Sequence, residues 1–241
     1  MSGIVAATLH APLPELLLDI TGKVAPNLPA LLSAAGWLGT AQPVRVRNTG
    51  IVGALEFTSA LAGARIVLLN TPGAIIGGTS YTVAAVKTAI PIAVDNQGSL
   101  YGAGGDGGAG GNAWVSRGGV VMWAYGGAGG YGQRIQSSYG VATVFARGFG
   151  QAGQSVTNST PRPGGDFGGS GPAYADGGTG GDGSNWGETG NSGGSSSVSG
   201  DYDSASGSQP GYAGTPAGLY IDGNSLVTWI NTGTRLGGVK A

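Results

Sequence analysis

Carboxylates are the side chains of this sequence whose types and spacing could support catalysis. Asp201 and Asp203 stand two positions apart and Glu188 precedes them, and paired carboxyl groups are what glycoside hydrolysis requires. The chain has no cysteine and one histidine, His10, which excludes thiolate chemistry, two-histidine metal sites and most histidine-dependent triads within one chain. We therefore expect solvated loop carboxylates and no enzymatic activity.

Glycine-rich stretches raise two possibilities for ligand binding. Residues 177–182 read GGTGGD and residues 107–112 read GGAGGN, and both are similar to the GGxGxD calcium repeat. Calcium arrays repeat every nine residues in tandem, whereas these copies lie about 70 residues apart. A phosphate loop of the GxxxxGK type is absent, and no lysine occurs between Lys87 and Lys240. No metal and no cofactor is therefore expected.

Recognition suits these residue types better than catalysis. Tyrosine supplies contact area at low entropic cost and aspartate supplies directional acceptors, so the run 201–203 reads as a recognition loop. Two further stretches combine aromatic with charged or polar residues. The candidate receptor contacts are Trp114, Arg117, Trp123, Tyr125, Tyr174, Asp176, Asp201, Tyr202 and Asp203.

The scaffold between these residues has a period of three. Glycine occupies every third position, and often two of three, in runs near 102–111, 126–132, 164–171, 177–183, 187–194 and 207–218. Three is the period of polyproline II, which has no internal hydrogen bonds, so glycine helices of this kind must bond sideways to one another. Residues 98–218 are therefore predicted to form a layered sandwich of polyglycine II helices with aromatic loops. A flexible linker or collagen is disfavoured, since aromatics recur throughout and the register breaks often.

Antiparallel runs would place connecting loops alternately at the two ends of the array. Counting from the first run, loops 112–125, 172–176 and 195–206 are predicted to lie far from the N-terminal part. Loops 133–163 and 184–186 are predicted to lie near it. Glycines between residues 148 and 153 could mark an extra run, which would change the end of the array to which each later loop is assigned.

The chain is predicted to be mainly β or irregular, and its N-terminal part is predicted to form a small β-repeat domain. Units at 44–53, 66–77 and 92–102 each contain a β-branched run, an asparagine before glycine, and a second apolar run. Asn48, Asn70 and Asn96 recur at a spacing that suits stacking of one coil on the next. Residues 1–43 are apolar and punctuated by proline, with a short helix predicted from Pro29 to Gly36. So small a unit is expected to dock on another protein or on copies of itself.

The composition excludes several partners. The formal net charge is −1 and only 10% of residues are charged, so nothing indicates nucleic acid or an anionic membrane as a partner. Between residues 151 and 234 acids predominate, and Arg162 is the lone basic residue. No apolar run is long enough for membrane insertion, and the N-terminus lacks the features of a secretory signal. Synthesis in a cytoplasm is expected.

The closing stretch carries a family resemblance. Residues 219–233 read as two short strands around an Asp-Gly-Asn turn, and residues 223–229 and 233–237 give the pattern GNSxVTW…GTRxG. With the glycine runs, this resembles the receptor-binding tip adhesins of T-even-like phage tail fibres. The resemblance implies an N-terminal attachment or oligomerisation domain (1–97), a receptor-binding polyglycine II domain (98–218) and a C-terminal segment (219–241) that closes the array.

The same resemblance implies a place and a set of partners. The protein would sit at the tail tip of the virion and bind a bacterial outer-membrane protein or surface glycan. It would attach to a tail-fibre or tail-tip protein, as a homotrimer or as a cap on a trimeric fibre. The alternative that remains open is a structural component of the tail tip or baseplate that binds no receptor.

Overall fold

The computed structural model describes residues 13–40, 42–162 and 171–241, which are built mainly from short β-strands. His10 and residues 164–170 of one predicted glycine run lie outside these ranges. The strands up to the glycine-rich region are β1 (Leu16–Asp19), β2 (Val44–Asn48), β3 (Ile51–Gly53), β4 (Leu55–Phe57), β5 (Ile66–Asn70), β6 (Ile75–Gly77), β7 (Val86–Thr88), β8 (Ile92–Asn96) and β9 (Ser99–Tyr101). The expectation of a mainly β chain is confirmed.

The remaining elements are equally short. Within the glycine-rich region lie β10 (Ala113–Arg117), β11 (Val120–Ala124), β12 (Arg134–Ser138), β13 (Val141–Phe145), β14 (Ser155–Asn158), β15 (Ala173–Asp176), β16 (Ser197–Gly200) and β17 (Ser204–Ala205). After it follow β18 (Leu219–Asp222), β19 (Val227–Asn231), β20 (Thr234–Leu236) and β21 (Gly238–Lys240). The helices are α1 (Leu28–Ala34) and two 3-10 turns, Ser59–Leu61 and Asn224–Leu226. Across the described ranges, no helix is long and apolar enough to cross a membrane.

Three parallel sheets form a solenoid in which the chain visits each sheet once per coil. The first sheet has the order β1-β2-β5-β8-β19, the second β3-β6-β9-β20 and the third β4-β7-β18-β21. Val44 aligns with Ile66, and Leu68 aligns with Val94 on the next coil. The predicted stacking of the sequence repeat, coil on coil, is therefore confirmed.

A ladder of buried asparagines joins the coils. Asn48, Asn70 and Asn96 have no exposed surface. The Nδ2 of Asn48 donates to Oδ1 of Asn70 at 2.9 Å, and the Nδ2 of Asn70 donates to Oδ1 of Asn96 at 2.8 Å. The Nδ2 of Asn96 continues to the carbonyl oxygen of Thr232 at 2.6 Å. Because a buried amide requires partners, each asparagine fixes the register of its neighbour.

The helix α1 covers the N-terminal end of the solenoid. The Oδ1 of Asn27 accepts the amide of Ala30 at 3.1 Å, which caps the helix, and Leu28 and Leu32 are buried in the solenoid core. Gly36 follows with a φ of 81°, a conformation that suits glycine after a helix. The short helix predicted in this segment is confirmed.

The glycine-rich region is an insertion in the third coil. β9 ends in the second sheet, and the chain returns as β18 in the third sheet beside β7. β19, β20 and β21 then form a fourth coil. The two short strands predicted for residues 219–233 are present as β18 and β19, and β20 and β21 follow them. All four strands pair with the solenoid, because Ile221 and its apolar neighbours continue the solenoid core.

In the part of the insertion that the structure describes, six extended segments lie side by side, at 102–112, 125–133, 147–154, 177–185, 188–196 and 209–218. Backbone hydrogen bonds between them recur at every third residue. Between the first two segments these bonds run from the amides of Gly104, Gly107 and Gly110 to the carbonyl oxygens of Gln133, Gly130 and Gly127. A methyl group on Gly108 would overlap the carbonyl oxygen of Tyr212 on the sixth segment. Glycine is therefore required where segments touch.

The third segment, 147–154, is the extra run that the glycines near residue 148 suggested. It divides the connection predicted for residues 133–163. Residues 134–145 form the hairpin β12–β13 beside the solenoid, where Ile135 packs with Val24 and Ile51. Residues 155–162 lie at the opposite end, so their predicted position is wrong: the chain crosses the array once more before reaching them.

Candidate functional site

Three connections meet at the end of the array far from the solenoid, and we call this end the tip. It comprises residues 113–124, 155–162, 171–176 and 197–208. β10 pairs with β11 and with β17, and β15 lies between β14 and β16. The two small sheets pack through side chains that are nearly all alanine or valine, namely Ala113, Val115, Ala124, Ala173 and Ala175. The array thus gathers all three predicted recognition stretches.

Aromatic side chains cover the outer face of the first sheet. Trp114 pairs across the hairpin with Trp123, with ring centroids 6.2 Å apart. Trp123 stacks on Tyr125 at 6.5 Å with an interplanar angle of 15°. Trp123 is 49% exposed and Tyr125 is 54% exposed, whereas Trp114 is only partly exposed. The stack therefore presents two aromatic surfaces to solvent.

The second sheet presents a polar face. Ala173 and Ala175 point into the tip, so Tyr174 and Asp176 between and beyond them point outward. Tyr174 is 39% exposed and lies opposite Thr157 on one neighbouring strand and Ser199 on the other. A tyrosine ring flanked by hydroxyl groups offers both contact area and hydrogen-bonding partners.

Arg162 joins the acids of the last connection. Its Nη1 and Nη2 donate to Oδ2 and Oδ1 of Asp201 at 2.9 and 2.7 Å, and its Nε donates to Oδ1 of Asp203 at 2.6 Å. Arg117, whose side chain is 3% exposed, places Nη2 3.9 Å from Oδ2 of Asp201. We call these four residues the arginine clasp. Three predicted contact residues thus engage charged partners within the tip, and Tyr202 between the two acids is 40% exposed.

Two further hydrogen bonds join the arginine clasp to backbone groups of the first and second connections. Nη1 of Arg117 donates to the carbonyl oxygen of Thr160 at 2.8 Å, and the amide of Gly118 donates to Oδ2 of Asp203 at 2.7 Å. The hydrogen bond from Arg162, followed by that from Gly118, holds the pKa of the Asp203 carboxyl below its usual range. Asp203 therefore stays ionised to a lower pH than an isolated aspartate.

Other carboxylate and amide side chains of the array accept hydrogen bonds from its backbone. Oδ1 of Asp182 accepts the amide of Gly150 at 2.9 Å, and Oδ1 of Asn112 accepts the amide of Gly126 at 2.8 Å. These are the polar positions of the two calcium-like sequences. Glu188 begins the fifth segment at the solenoid end, far from Asp201 and Asp203. Among the described residues, no group of three or more histidine or acidic side chains could hold a metal ion.

Two tip residues with several contacts, Arg162 and Asn158, are not among the receptor contacts predicted from the sequence. The isolation of Arg162 among acids was a usable signal, because a single cation in an acidic region is expected to pair. Asn158 is fully buried, and its Nδ2 donates to the carbonyl oxygen of Val120 at 2.8 Å. Nothing in the local sequence distinguishes this asparagine from those in loops.

The sequence places the chain in a class of viral proteins, the adhesins of phage tail fibres. The sequence model of the family "Phage tail fibre adhesin Gp38" matches residues 19–240, and the chain belongs to this family. The resemblance to fibre-tip adhesins is thereby confirmed.

Comparison with solved structures gives the gp37-gp38 adhesin tip complex of the bacteriophage S16 long tail fiber. That chain is 21% identical, and the match covers 93% of this chain and 82% of that one, with a TM-score of 0.49. Comparison with curated proteins gives no match.

Proposed function

We propose that this adhesin binds a bacterial surface receptor through the tip. The observation that carries the proposal is the convergence of three separate connections on one end of the insertion, where Trp123, Tyr174 and Tyr202 are exposed and Tyr125 is exposed directly beside them. Exposed aromatics on a rigid support are the groups from which interfaces draw most of their energy. The receptor is an outer-membrane protein or a surface glycan. The proposed role is binding alone, without an enzymatic step.

We further propose that the six segments are polyglycine II helices. Lateral backbone bonds at every third residue match a helix with three residues per turn. The glycine positions where segments touch support the same assignment. Backbone dihedral angles near φ −75° and ψ +145° in an experimental density map would test it.

The solenoid is the proposed attachment unit. Residues 13–40 and 42–97 and the C-terminal strands lie at the end opposite the tip, as an adhesin held by a tail fibre requires. We propose that the solenoid caps a trimeric fibre or trimerises itself, at the tail tip of the virion, after synthesis in the host cytoplasm. The tip and the attachment surface would then face away from each other.

Competition for host cells tests the function. Soluble protein should block adsorption of the parent phage, and a variant with Trp123→Ala and Tyr125→Ala should lose most of this effect. Tyr139→Ala is the matched control, since Tyr139 is fully exposed in the turn of the β12–β13 hairpin beside the solenoid, at the other end of the array. Failure of the wild-type protein to compete would favour the alternative, a structural tail-tip component that binds no receptor.

A further inference from the structure

Arg162 connects parts of the tip that belong to different segments. It sits in the connection after the third segment, and both of its acidic partners sit in the connection after the fifth. The amide of Gly118 and the guanidinium of Arg117 bring in the connection after the first segment. Four charged side chains, two of each sign, therefore tie three connections together.

The alternation of side chains separates the acids from the tyrosine between them. Asp201 and Asp203 both turn toward Arg162, whereas Tyr202 makes no hydrogen bond among those described and is 40% exposed. The side chains of Asp201 and Asp203 are 34% and 40% exposed, but each of their four oxygens already accepts a hydrogen bond from Arg162 or Gly118, which leaves them poorly placed to bond a second molecule. Tyr202 is well placed, because its neighbours on both sides are anchored.

We propose that Arg162 is a positioning residue of the receptor-binding tip: it fixes the three connections relative to one another and turns Tyr202 outward. In this view Asp201 and Asp203 act through Arg162 and do not contact the receptor. The inference rests on the proposed function of the tip. It differs from that function in assigning the acids an internal role.

The arginine clasp is separate from the interactions that hold the array. The lateral bonds of the six segments run between backbone groups and do not involve Arg162. The small-residue contacts between the two sheets are also independent of it. Exposed ion pairs are weak singly, but a bidentate arginine pair linked to a buried second arginine constrains geometry. Loss of Arg162 should therefore loosen the tip without unfolding the protein.

Arg162→Gln and the double variant Asp201→Asn with Asp203→Asn form the test, in the full-length protein. Binding of labelled protein to cells of the strain that the parent phage infects should fall about tenfold or more in each. Combining all three changes should reduce binding no further, because each variant disrupts the same unit. Hydrogen exchange at the Gly118 amide should accelerate in Arg162→Gln. The unfolding temperature of Arg162→Gln should stay near that of the control variant Arg147→Gln, whose changed residue lies beside the solenoid.

Contrary outcomes are distinct. If the acids contact the receptor directly, Arg162→Gln frees both and keeps wild-type binding, while the acid variant loses it; this overturns the proposal. Unchanged Gly118 exchange in Arg162→Gln also overturns it. Arg162→Lys, which keeps the charge without the bidentate fork, should show a smaller effect in the same direction. If even the wild-type protein fails to bind cells, the proposed function fails, whereas Gly118 exchange still decides whether Arg162 holds the tip.

Discussion

The amide of Gly218 donates to the carbonyl oxygen of Ala103 at 2.8 Å, so the insertion leaves and re-enters the solenoid at one point. Beside this pair, the amide of Gly102 donates to the carbonyl oxygen of Leu236 in the fourth coil at 2.8 Å. Adjacent ends are what allow a domain to be inserted into, or removed from, a host fold. The solenoid therefore does not need the array in order to close.

Removing residues 103–217 and joining Gly102 to Gly218 should leave a folded solenoid. β18 would still pair with β7, and the fourth coil would still cover β8 and β9. Circular dichroism and a cooperative thermal transition would show this. A fragment of residues 1–97 is the informative comparison, since it lacks the fourth coil and should aggregate or unfold. A shortened protein that behaves like this fragment would contradict the prediction.

Asn70→Leu should destabilise the solenoid by about 1–3 kcal/mol, the usual cost of one buried unsatisfied group. The change leaves the Oδ1 of Asn96 without its donor in the core, whereas the Nδ2 of Asn48 keeps the carbonyl oxygens of Gly50 and Ile75 as acceptors. Denaturant unfolding measures the difference. Gln97→Ala, on the exposed side of the neighbouring turn, should stay within about 0.5 kcal/mol of the wild type.

Gly108→Ala should destabilise the array far more than Ala109→Ser. A methyl group on Gly108 overlaps the Tyr212 carbonyl, whereas the Ala109 side chain is exposed. Overpacking costs about 1–3 kcal/mol, and more where backbone must move, as it must here. Differential thermal unfolding of the two neighbouring variants would check this, and equal stabilities would speak against backbone contact between the segments.

Arg235→Ala should weaken the C-terminal end of the solenoid by about 1–2 kcal/mol. The guanidinium of Arg235 lies 5.0 Å from the ring centre of Trp229 and 5.6 Å from that of Tyr220. Equilibrium unfolding in denaturant gives the free-energy change, and Arg235→Lys should recover only part of it, because lysine lacks the planar group.

The arginine clasp should open in acid. The pKa of Asp203 is lowered in the folded protein, so its stabilising effect is complete above the usual aspartate value, about pH 4, and is lost as pH falls through the lowered value. The amide resonance of Gly118 should shift across this acidic window. In Asp203→Asn that titration should disappear, and a shift that persists would point to another group.

The sequence was informative where signals are local and repeated. Asn48, Asn70 and Asn96 indicated the repeat of the solenoid, because an asparagine occupies the same turn position in each coil. The third segment was harder to find, since Gly148, Gly150 and Gly153 lack the paired glycines of the other runs. The return of the chain to the solenoid at Leu219 leaves no local signal, because parallel pairing depends on partners far away in sequence. The same holds for Arg162, whose partners are set by how the segments align.

The glycine segments contact one another through backbone atoms. Side chains at the tip can therefore change what the protein binds without changing how the segments pack. A side chain changed at Tyr202 or Val121 leaves the bonds between glycine segments untouched. A connection at the tip can also be lengthened or exchanged without altering the packing of the segments on which it is mounted. The residues at the exposed end of the adhesin can thus vary while the interactions that determine its fold stay the same.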